Sequence, residues 1–221
     1  MVTILDNLTC PQGSEIWDAV RRPLATASNM NRILTPSTLK PSSQARKYAI
    51  TCACALQGIS TPAPPPTYAM ERGLELEPLA AQYYTEETGN RIDHVGFVYP
   101  DERYQVDGTW GWGCSPDGLI GEDGVLEIKC PLEAETVVEY ADDSVVPLKY
   151  KLQTQFLLWV TKRKWLDFLA FHPNFSFLCR TIPDSDTFAA FERHLPLFAA
   201  EVRRLSIMVN ENKIDCAGVM A

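Results

Sequence analysis

The chain has 221 residues, of which 46% are hydrophobic and 22% are charged, and this composition fits one globular domain and excludes fibrous and disordered classes. It has no apolar run of about 18 residues, as a membrane span requires, and its first residues lack the pattern of a signal peptide. We therefore expect a cytoplasmic protein with no membrane partner, and the net charge of −8 argues against coating nucleic acid through bulk charge alone.

The basic residues are concentrated in two segments that contain no Asp or Glu. These segments are residues 19–70 and residues 145–166. Such a separation of charge would give the molecule one positive surface that attracts a polyanion. Two ordinary solvated helix faces would explain the same pattern, and the sequence alone leaves both interpretations open.

The cysteines and histidines do not indicate a metal knuckle or a disulfide framework. The seven cysteines are widely scattered, and no CxxC pair occurs among them, so we expect reduced thiols, mostly in the core. His94, His172 and His194 are not placed at the spacing of metal ligands. We expect them to have ordinary polar roles.

The N-terminal part of the chain is predicted to be helical. Apolar residues recur there at helical spacing, and polar turns separate the predicted helices. The prolines of residues 60–67 exclude a helix or a central strand and predict a loop. A helix is predicted next for residues 71–84, with Glu77 at the edge of its core-facing stripe. We expect that stripe to consist of Leu76, Leu79, Ala80 and Tyr83.

The middle of the chain is predicted to form strands. Residues 95–99 and 125–130 are short, rich in β-forming residues and bounded by turn signals. Between them, frequent glycines together with Trp110 and Trp112 at alternating positions predict a meander of short strands.

The last part of the chain is predicted to combine helices with a hairpin. Residues 148–160 have a helical period, residues 165–171 and 175–182 form two strands, and residues 187–208 form a helix interrupted at Pro196. We expect the core-facing side of the first of these helices to consist of Leu148, Leu152, Phe156, Trp159 and Val160. The order of elements predicts an α/β fold with one central mixed β-sheet flanked by helices.

Two short motifs, SPDG and LEIKCP, contain Asp117, Glu127 and Lys129. Glu127 and Lys129 are two residues apart on a predicted strand, so their side chains project from the same face, and a turn could bring Asp117 beside them. This set suits phosphodiester cleavage, because carboxylate oxygens bind Mg²⁺ and a lysine can orient or help deprotonate water. Glu77 could add a third acid. A plain turn and an ordinary edge strand would explain each motif taken alone.

In this order the two motifs resemble those of the PD-(D/E)xK nuclease superfamily. CSPDGL and LEIKCP are similar in particular to the lambda exonuclease family of viral recombination exonucleases. The similarity covers approximately residues 15–205. Its other segments are WDAVRRPLATAS at 17–28, RGLELEP at 72–78, YKLQTQFLLWVT at 150–161 and AAFERHLPLF at 189–198.

The resemblance implies a fold and a domain organisation. We expect a restriction-endonuclease-like PD-(D/E)xK core within a single nuclease domain over residues 1–221. Within that domain, a helical N-terminal part would cover about 12–60, a catalytic core about 70–182 and a C-terminal helical region about 184–210.

The resemblance also implies a metal site. Asp117, Glu127 and the backbone carbonyl of Ile128 would hold Mg²⁺, with Glu77 as a further metal ligand and with Mn²⁺ able to substitute. The catalytic residues would be these acids together with the side chains that surround the nucleophilic water. Those side chains would be Glu77, Lys129 and Gln153.

A pocket for a 5′-phosphate is implied at the N-terminal side of the site. Arg21, Ser28 and Ser115 would form it, because guanidinium and hydroxyl groups donate hydrogen bonds to phosphate oxygens. Pro23 stands where the family has a glycine, so the sequence leaves open whether Arg21 or Arg22 faces the phosphate.

The function implied by the resemblance is that of a Mg²⁺-dependent 5′-to-3′ exonuclease with a two-metal mechanism. It would digest one strand of linear double-stranded DNA to 5′-mononucleotides and leave a 3′ single-stranded tail for recombination by strand annealing. The protein would be a homotrimer ring threaded by DNA, with a single-strand annealing protein as a possible partner. Its location would be the bacterial host cytoplasm if a phage or prophage encodes it.

Two alternatives stay open. One is a PD-(D/E)xK endonuclease of restriction or repair type, which would cut closed circular duplex. The other is a non-catalytic DNA-binding recombination module, whose DNA binding would not depend on Asp117 or Lys129.

Overall fold

The computed structural model describes residues 2–59, 65–100, 105–106 and 109–213. The helices within them are α1 (Glu15–Arg21), α2 (Met30–Ile33), α3 (Ala45–Leu56), α4 (Tyr68–Thr88), α5 (Ala134–Asp143), α6 (Leu148–Thr161) and α7 (Ser185–Glu211). The strands are β1 (Val2–Asp6), β2 (Ala25–Thr26), β3 (Val95–Pro100), β4 (Gln105–Val106), β5 (Thr109–Trp110), β6 (Trp112–Gly113), β7 (Gly118–Ile120), β8 (Gly124–Lys129), β9 (Trp165–His172) and β10 (Phe175–Thr181).

Four strands form a central sheet in the order β10-β9-β8-β7. The outer pairs, β7 with β8 and β9 with β10, are antiparallel, whereas β8 and β9 are parallel. The parallel pair is connected through α5 and α6, because parallel neighbours need a long crossover. The predicted α/β fold with a mixed, helix-flanked sheet and the predicted hairpin of β9 and β10 are both confirmed.

Helices cover both faces of β8. Leu126 and Ile128 pack against α4, in a cluster that includes Ala80 of that helix. Glu127 alternates with these two residues and contacts α6 on the opposite face. The alternation predicted from the sequence is therefore present, and it separates the apolar side of β8 from the side that carries Glu127.

A buried polar contact fixes α4 on the sheet. The Tyr84 hydroxyl of α4 donates to Oδ2 of Asp167 on β9 at 2.8 Å. Arg180 of β10 donates to the same carboxylate from Nε and Nη2, at 2.8 and 3.0 Å. Because Asp167 is only 3% exposed, these donors satisfy a carboxylate that would otherwise be costly to bury. The contact sets the position of α4, which carries Glu77.

The N-terminal region contains strands that were not predicted. β1 pairs with β3 in antiparallel register, and β2 pairs in parallel with β6. Both partners lie far away in sequence, so no local pattern could reveal the pairing. Trp112 is buried on β6, as its predicted strand position requires. The side chain of Trp110 lies outside the described residues.

Three details of the helix predictions were wrong. α7 runs without interruption through Pro196. The proline is on the exposed side of the helix and removes only one hydrogen bond, and the packing of the apolar face of α7 against α3 outweighs this loss. Leu79 is 47% exposed and Leu148 is 54% exposed, although both were expected to face the core. Tyr84 is fully buried instead of Leu79, which means that α4 is rotated relative to the predicted stripe.

The cysteines Cys10, Cys52, Cys54, Cys114, Cys130 and Cys179 are all free thiols. Cys216 and residues 60–64 of the predicted loop lie outside the described residues. Within the part of the chain that the structure covers, no helix combines the length and the hydropathy that a membrane crossing needs.

Candidate functional site

Strand β8 extends beyond the end of its neighbour β7. The last pair joins Leu126 to Gly118, so the Ile128 amide has no strand partner on that side. Oδ2 of Asp117 accepts a hydrogen bond from this amide at 2.6 Å. The N–H and C=O of one strand residue point to the same edge, so the Ile128 carbonyl lies on the side of the Asp117 carboxylate.

Glu127 is the most enclosed acid of the site and is only 1% exposed. Its Oε1 accepts hydrogen bonds from Nζ of Lys129 on the same strand and from Nε2 of Gln153 on α6. The Lys129 ammonium also lies 5.5 Å from the ring centroid of Tyr150 on α6. The geometry therefore brings together the acid, the lysine and the glutamine that the sequence motifs indicated.

Burial and mutual repulsion shift the titration of these groups. Burial raises the pKa of Asp117, and the nearby Glu77 carboxylate adds to this effect. Burial likewise raises the pKa of Glu127, with a further contribution from Asp117. For Lys129, burial opposes the charge, but the carboxylates of Glu127 and Asp117 outweigh it and raise the pKa. The two acids thus hold their negative charges less readily than free carboxylates, and the ammonium is stabilised.

A second group of side chains, from the N-terminal region, faces the same site. The Arg21 guanidinium stacks on the Trp17 ring at 3.9 Å from its centroid, and Nη2 of Arg21 donates to Oγ of Ser28 at 3.0 Å. Nε1 of Trp17 donates to Oγ of Ser115 at 2.7 Å. Burial lowers the pKa of Arg21, although a guanidinium stays charged at any ordinary pH. Arg21, Ser28 and Ser115 are therefore held in one cluster.

Arg22 points away from this cluster. Its guanidinium forms an ion pair with Asp18 one helical turn earlier, and both side chains are more than 40% exposed. Of the two adjacent arginines, only Arg21 lines the cavity described next. The structure thus distinguishes between the two residues that the sequence left open.

Both groups line one cavity of about 150 Å³. Seven of the predicted site residues contribute to its wall, namely Arg21, Ser28, Ser115, Asp117, Glu127, Lys129 and Gln153. Cationic and hydroxyl donors line one part of the wall, and the carboxylates with their lysine line another. A terminal phosphate and an adjacent phosphodiester could therefore be contacted from one site.

Glu77 lies on the other side of Asp117. It lines a larger cavity of about 740 Å³ together with Asp117, Ile128 and His94. Burial raises the pKa of Glu77, and repulsion by Glu127 adds to the shift. Glu77 is thus electrostatically connected to the other acids, although it reaches them from the α4 side of the sheet.

The acids do not form a ready-made metal cage. Among the residues that the structure describes, no group of three or more His, Cys, Asp or Glu side chains is arranged to hold a metal ion. Glu127 is instead bonded to Lys129 and Gln153, and Asp117 to a backbone amide. The chemistry of the donors still fits a hard divalent cation. The buried carboxylate of Glu127, the partly buried carboxylate of Asp117 and the carbonyl of Ile128 offer oxygen ligands near the end of β8, and the two carboxylates repel each other without a cation.

The acid-free segments meet in the fold, but part of their charge is neutralised. Nδ2 of Asn31 on α2 donates to the Lys149 carbonyl at 2.8 Å, which joins the two segments. Several of their cations form ion pairs with acids from elsewhere in the chain. These pairs are Arg46 with Glu201, Lys151 with Asp184 and Lys164 with Asp123. Three of the cations in the acid-free segments are therefore paired with acids, which reduces the net positive charge that the pattern predicted for them.

Gln12, Thr26 and Phe97 also line the smaller cavity, although none of them was predicted as a site residue. Thr26 is buried and lies within the segment at 17–28 that resembles the family, so that segment was the signal that could have found it. Phe97 is a buried apolar residue of β3 and has no chemical signature in the sequence. Gln12 precedes α1 and is not part of any motif singled out above. Only the three-dimensional packing brings Gln12 and Phe97 to the site.

A comparison with protein families matches residues 16–164 to the YqaJ-like viral recombinase domain. No curated protein matches the sequence at a significant level. The match includes every predicted site residue, from Arg21 to Gln153.

Solved structures with the same fold include an alkaline exonuclease, LHK-Exo, from Laribacter hongkongensis. It is 30% identical to this chain with a TM-score of 0.75, and the alignment covers 94% of this chain and all of that one. The structure of LHK-Exo in complex with dAMP matches with 29% identity, a TM-score of 0.75 and the same coverage. A phage-related exonuclease from Haemophilus somnus 129PT matches at 13% identity and a TM-score of 0.60, covering 89% of this chain and 99% of that one, and shows likeness of fold alone.

Proposed function

This chain belongs to the YqaJ-like viral recombinase family, and from that premise we propose that it is an exodeoxyribonuclease dependent on Mg²⁺. It digests one strand of linear duplex DNA from the 5′ end, releases 5′-mononucleotides and leaves a 3′ single-stranded tail. The named relative LHK-Exo is an alkaline exonuclease and binds dAMP in one of its structures, which supports a nucleotide product.

One observation carries the proposal. A single cavity of about 150 Å³ contains both the Arg21 cluster and the carboxylates with Lys129. A guanidinium and hydroxyl donors recognise a terminal phosphate, whereas the acids and the lysine suit hydrolysis of a phosphodiester. An enzyme that cuts one nucleotide from a phosphorylated end needs both groups within one nucleotide of each other.

Each group has a defined task in the proposed reaction. Asp117, Glu127 and the Ile128 carbonyl would hold Mg²⁺, which neutralises charge at the scissile phosphate and lowers the pKa of water. Lys129 and Gln153 orient the attacking water from the α6 side. The terminal 5′-phosphate would be bound by Arg21, Ser28 and Ser115.

The proposal is tested by digesting linear duplexes that carry phosphate or hydroxyl at each 5′ end, with and without Mg²⁺. We expect Mg²⁺-dependent release of 5′-mononucleotides, faster from phosphorylated 5′ ends, and a remaining strand with a 3′ tail. A closed circular duplex of the same sequence is the control and should stay intact. Cleavage of the circle would support an endonuclease instead, and duplex binding without any nucleotide release would support a non-catalytic module.

We further propose that the protein acts as a closed homotrimer ring through which DNA passes, and that a single-strand annealing protein receives the tailed product. A ring of identical protomers is a closed heterologous assembly, in which each interface joins two different surfaces. A ring would keep the enzyme on its substrate between successive cuts and thereby make the digestion processive.

A further inference from the structure

We propose that Gln12 is a positioning residue that holds the 115–117 loop in place, and that it thereby sets the affinity of the site for divalent cations and for a 5′-phosphate. The inference rests on the proposed function. It concerns a residue that lies before the matched family domain, which begins at residue 16.

The side-chain amide of Gln12 connects two distant parts of the chain. Its Nε2 donates to the carbonyl of Val95 at 2.9 Å and to the carbonyl of Pro116 at 2.9 Å. Both protons of the amide nitrogen are therefore used, one on β3 and one on the loop. Pro116 lies between Ser115 of the phosphate cluster and Asp117 of the metal site, so one bond influences both.

The 115–117 loop is held at three successive residues by three different parts of the chain: α1, the segment before α1, and β8. Ser115 accepts from Nε1 of Trp17, Pro116 accepts from Gln12, and Asp117 accepts from the Ile128 amide. Pro116 has no amide hydrogen, so its carbonyl is its one backbone hydrogen-bonding group. Loss of Gln12 would leave Asp117 connected to β8 but would free the residue before it.

The segment that carries Gln12 is itself seated closely on β3. Cys10 is 1% exposed, and its amide donates to the Asp6 carbonyl at 3.1 Å. A Cβ at position 96 would collide with the Cys10 carbonyl oxygen, so glycine at this position allows the close approach. The backbone next to Gln12 is thus fixed, and its side chain reaches the loop from a rigid base.

The position of Gln12 makes a positioning role separable from a role in stability. Gln12 is exposed over much of its surface, so its replacement does not open a cavity in the core. Groups that orient metal ligands from outside the ligand set commonly contribute about tenfold to a hundredfold in metal affinity. We therefore expect a loss of ligand affinity that exceeds any loss of stability.

The experiment measures binding of Mn²⁺ alone, and of dAMP with Mn²⁺, by titration calorimetry in the absence of DNA. Gln12→Met removes the donors and keeps the length of the side chain. Gln57→Met is the matched control, because Nε2 of Gln57 donates to Oγ of Ser206 at 2.8 Å, between α3 and α7 and away from the site. Tm and nucleotide release at increasing Mn²⁺ concentrations are measured for the same proteins.

We expect Gln12→Met to bind Mn²⁺ at least about tenfold more weakly than the wild type and to recover activity at saturating Mn²⁺, whereas Gln57→Met binds like the wild type. Gln12→Glu should bind at least as weakly as Gln12→Met, because a carboxylate would face two carbonyl oxygens. Unchanged Mn²⁺ binding by Gln12→Met would overturn the proposal. Equal losses of Mn²⁺ affinity in Gln12→Met and Gln57→Met, in proportion to their decreases in Tm, would also overturn it. A wild type that binds neither ligand and releases no nucleotide would instead refute the proposed function itself.

Discussion

Arg21 and Arg22 are adjacent in the sequence but have different surroundings. Arg21 stacks on Trp17 and lines the cavity with the carboxylates, whereas Arg22 pairs with Asp18 at the surface. A difference of one residue along α1 corresponds to a rotation of about 100° around the helix axis, which separates the two side chains. The helical geometry therefore places Arg21, and not Arg22, where the proposed phosphate contact would be made.

Replacing Arg21 with Ala should reduce kcat/KM on 5′-phosphorylated duplex by about tenfold or more, because a hydrogen bond to a charged group contributes roughly 1.5 kcal/mol or more. On a 5′-hydroxyl duplex the same change should have a much smaller effect. Arg22→Ala is the matched control and should behave like the wild type on both substrates. Equal losses of kcat/KM in the two variants would contradict the assignment. A loss in Arg21→Ala that is the same on phosphorylated and on hydroxyl ends would contradict it as well.

The acids predict a pH dependence of metal binding. The pKa values of Asp117 and Glu127 are raised by burial, so the folded state binds protons more tightly than the unfolded state does. Ion-free protein therefore loses stability as the pH rises through these raised values, and a bound Mg²⁺ would offset the same negative charges. The increase in Tm caused by Mg²⁺ should grow from about pH 6 to about pH 8. If the increase in Tm caused by Mg²⁺ were the same at every pH, or greatest at acidic pH, the raised pKa values would be contradicted.

At the scale of residues, the sequence could predict those site residues whose relative positions follow from their spacing along the chain. Glu127 and Lys129 share a face because a strand alternates, and Asp117 follows from the turn before β7. Gln12 could not be predicted in this way, because its role depends on two carbonyls that lie 83 and 104 residues further along the chain. The precise partners of Glu127 also depend on the docking of α6.

At the scale of elements, the C-terminal helix α7 shows how packing can override a local signal. Pro196 lies inside α7, where it removes one amide donor, yet the helix continues from Ser185 to Glu211. Buried residues such as Phe191, Leu195 and Phe198 keep the helix on the core across the proline. The sequence predicted an interruption because it records the lost hydrogen bond but not the tertiary contacts.

Replacing Pro196 with Ala should therefore stabilise the protein. The exposed position gains an amide donor and loses the ring that opposes the helix, and proline in a helix interior costs about 3 kcal/mol relative to alanine. Chemical denaturation should show a higher unfolding free energy, up to about that amount, with the slope on denaturant unchanged. A decrease in the unfolding free energy would mean that the proline stabilises α7 in a way that the helix geometry does not show.

Elements with regular, local patterns were predictable, and elements that depend on distant partners were not. The hairpin of β9 and β10 and the strand β8 follow from short β-rich runs bounded by turns. Strand β1 pairs with β3, which lies almost a hundred residues later in the chain. Strand β2 is only two residues long, too short to show a pattern. The side of α4 that faces the sheet is set in part by the hydrogen bond between Tyr84 and Asp167. The helical spacing of apolar residues gives no information about this bond.

At the scale of the whole molecule, the fold separates two functions of charge. The acids that would hold Mg²⁺ converge at the end of β8, while the acid-free segments meet at α2 and α6. Several basic side chains of those segments are paired, so an attraction of DNA to them would depend on the remaining cations. An arrangement that encloses DNA within a ring would compensate for weak bulk attraction on a protein of net charge −8.

The proposed ring predicts a definite assembly in solution. Sedimentation equilibrium should give three times the mass of one chain at working concentration, and a trimer should release many nucleotides from one duplex before it engages a competitor duplex. The processivity should fall when the protein is diluted enough to dissociate. A monomer that digests processively at all concentrations would contradict the ring.

The central claim is that Asp117 belongs to a metal-dependent hydrolytic site. The most direct measurement is the release of 5′-mononucleotides from a linear duplex, with and without Mg²⁺, by the wild type and by Asp117→Asn. The asparagine oxygen can still accept from the Ile128 amide, so we expect the variant to keep its Tm and its duplex binding but to lose Mg²⁺-dependent release. Release at the wild-type rate by Asp117→Asn would contradict the account.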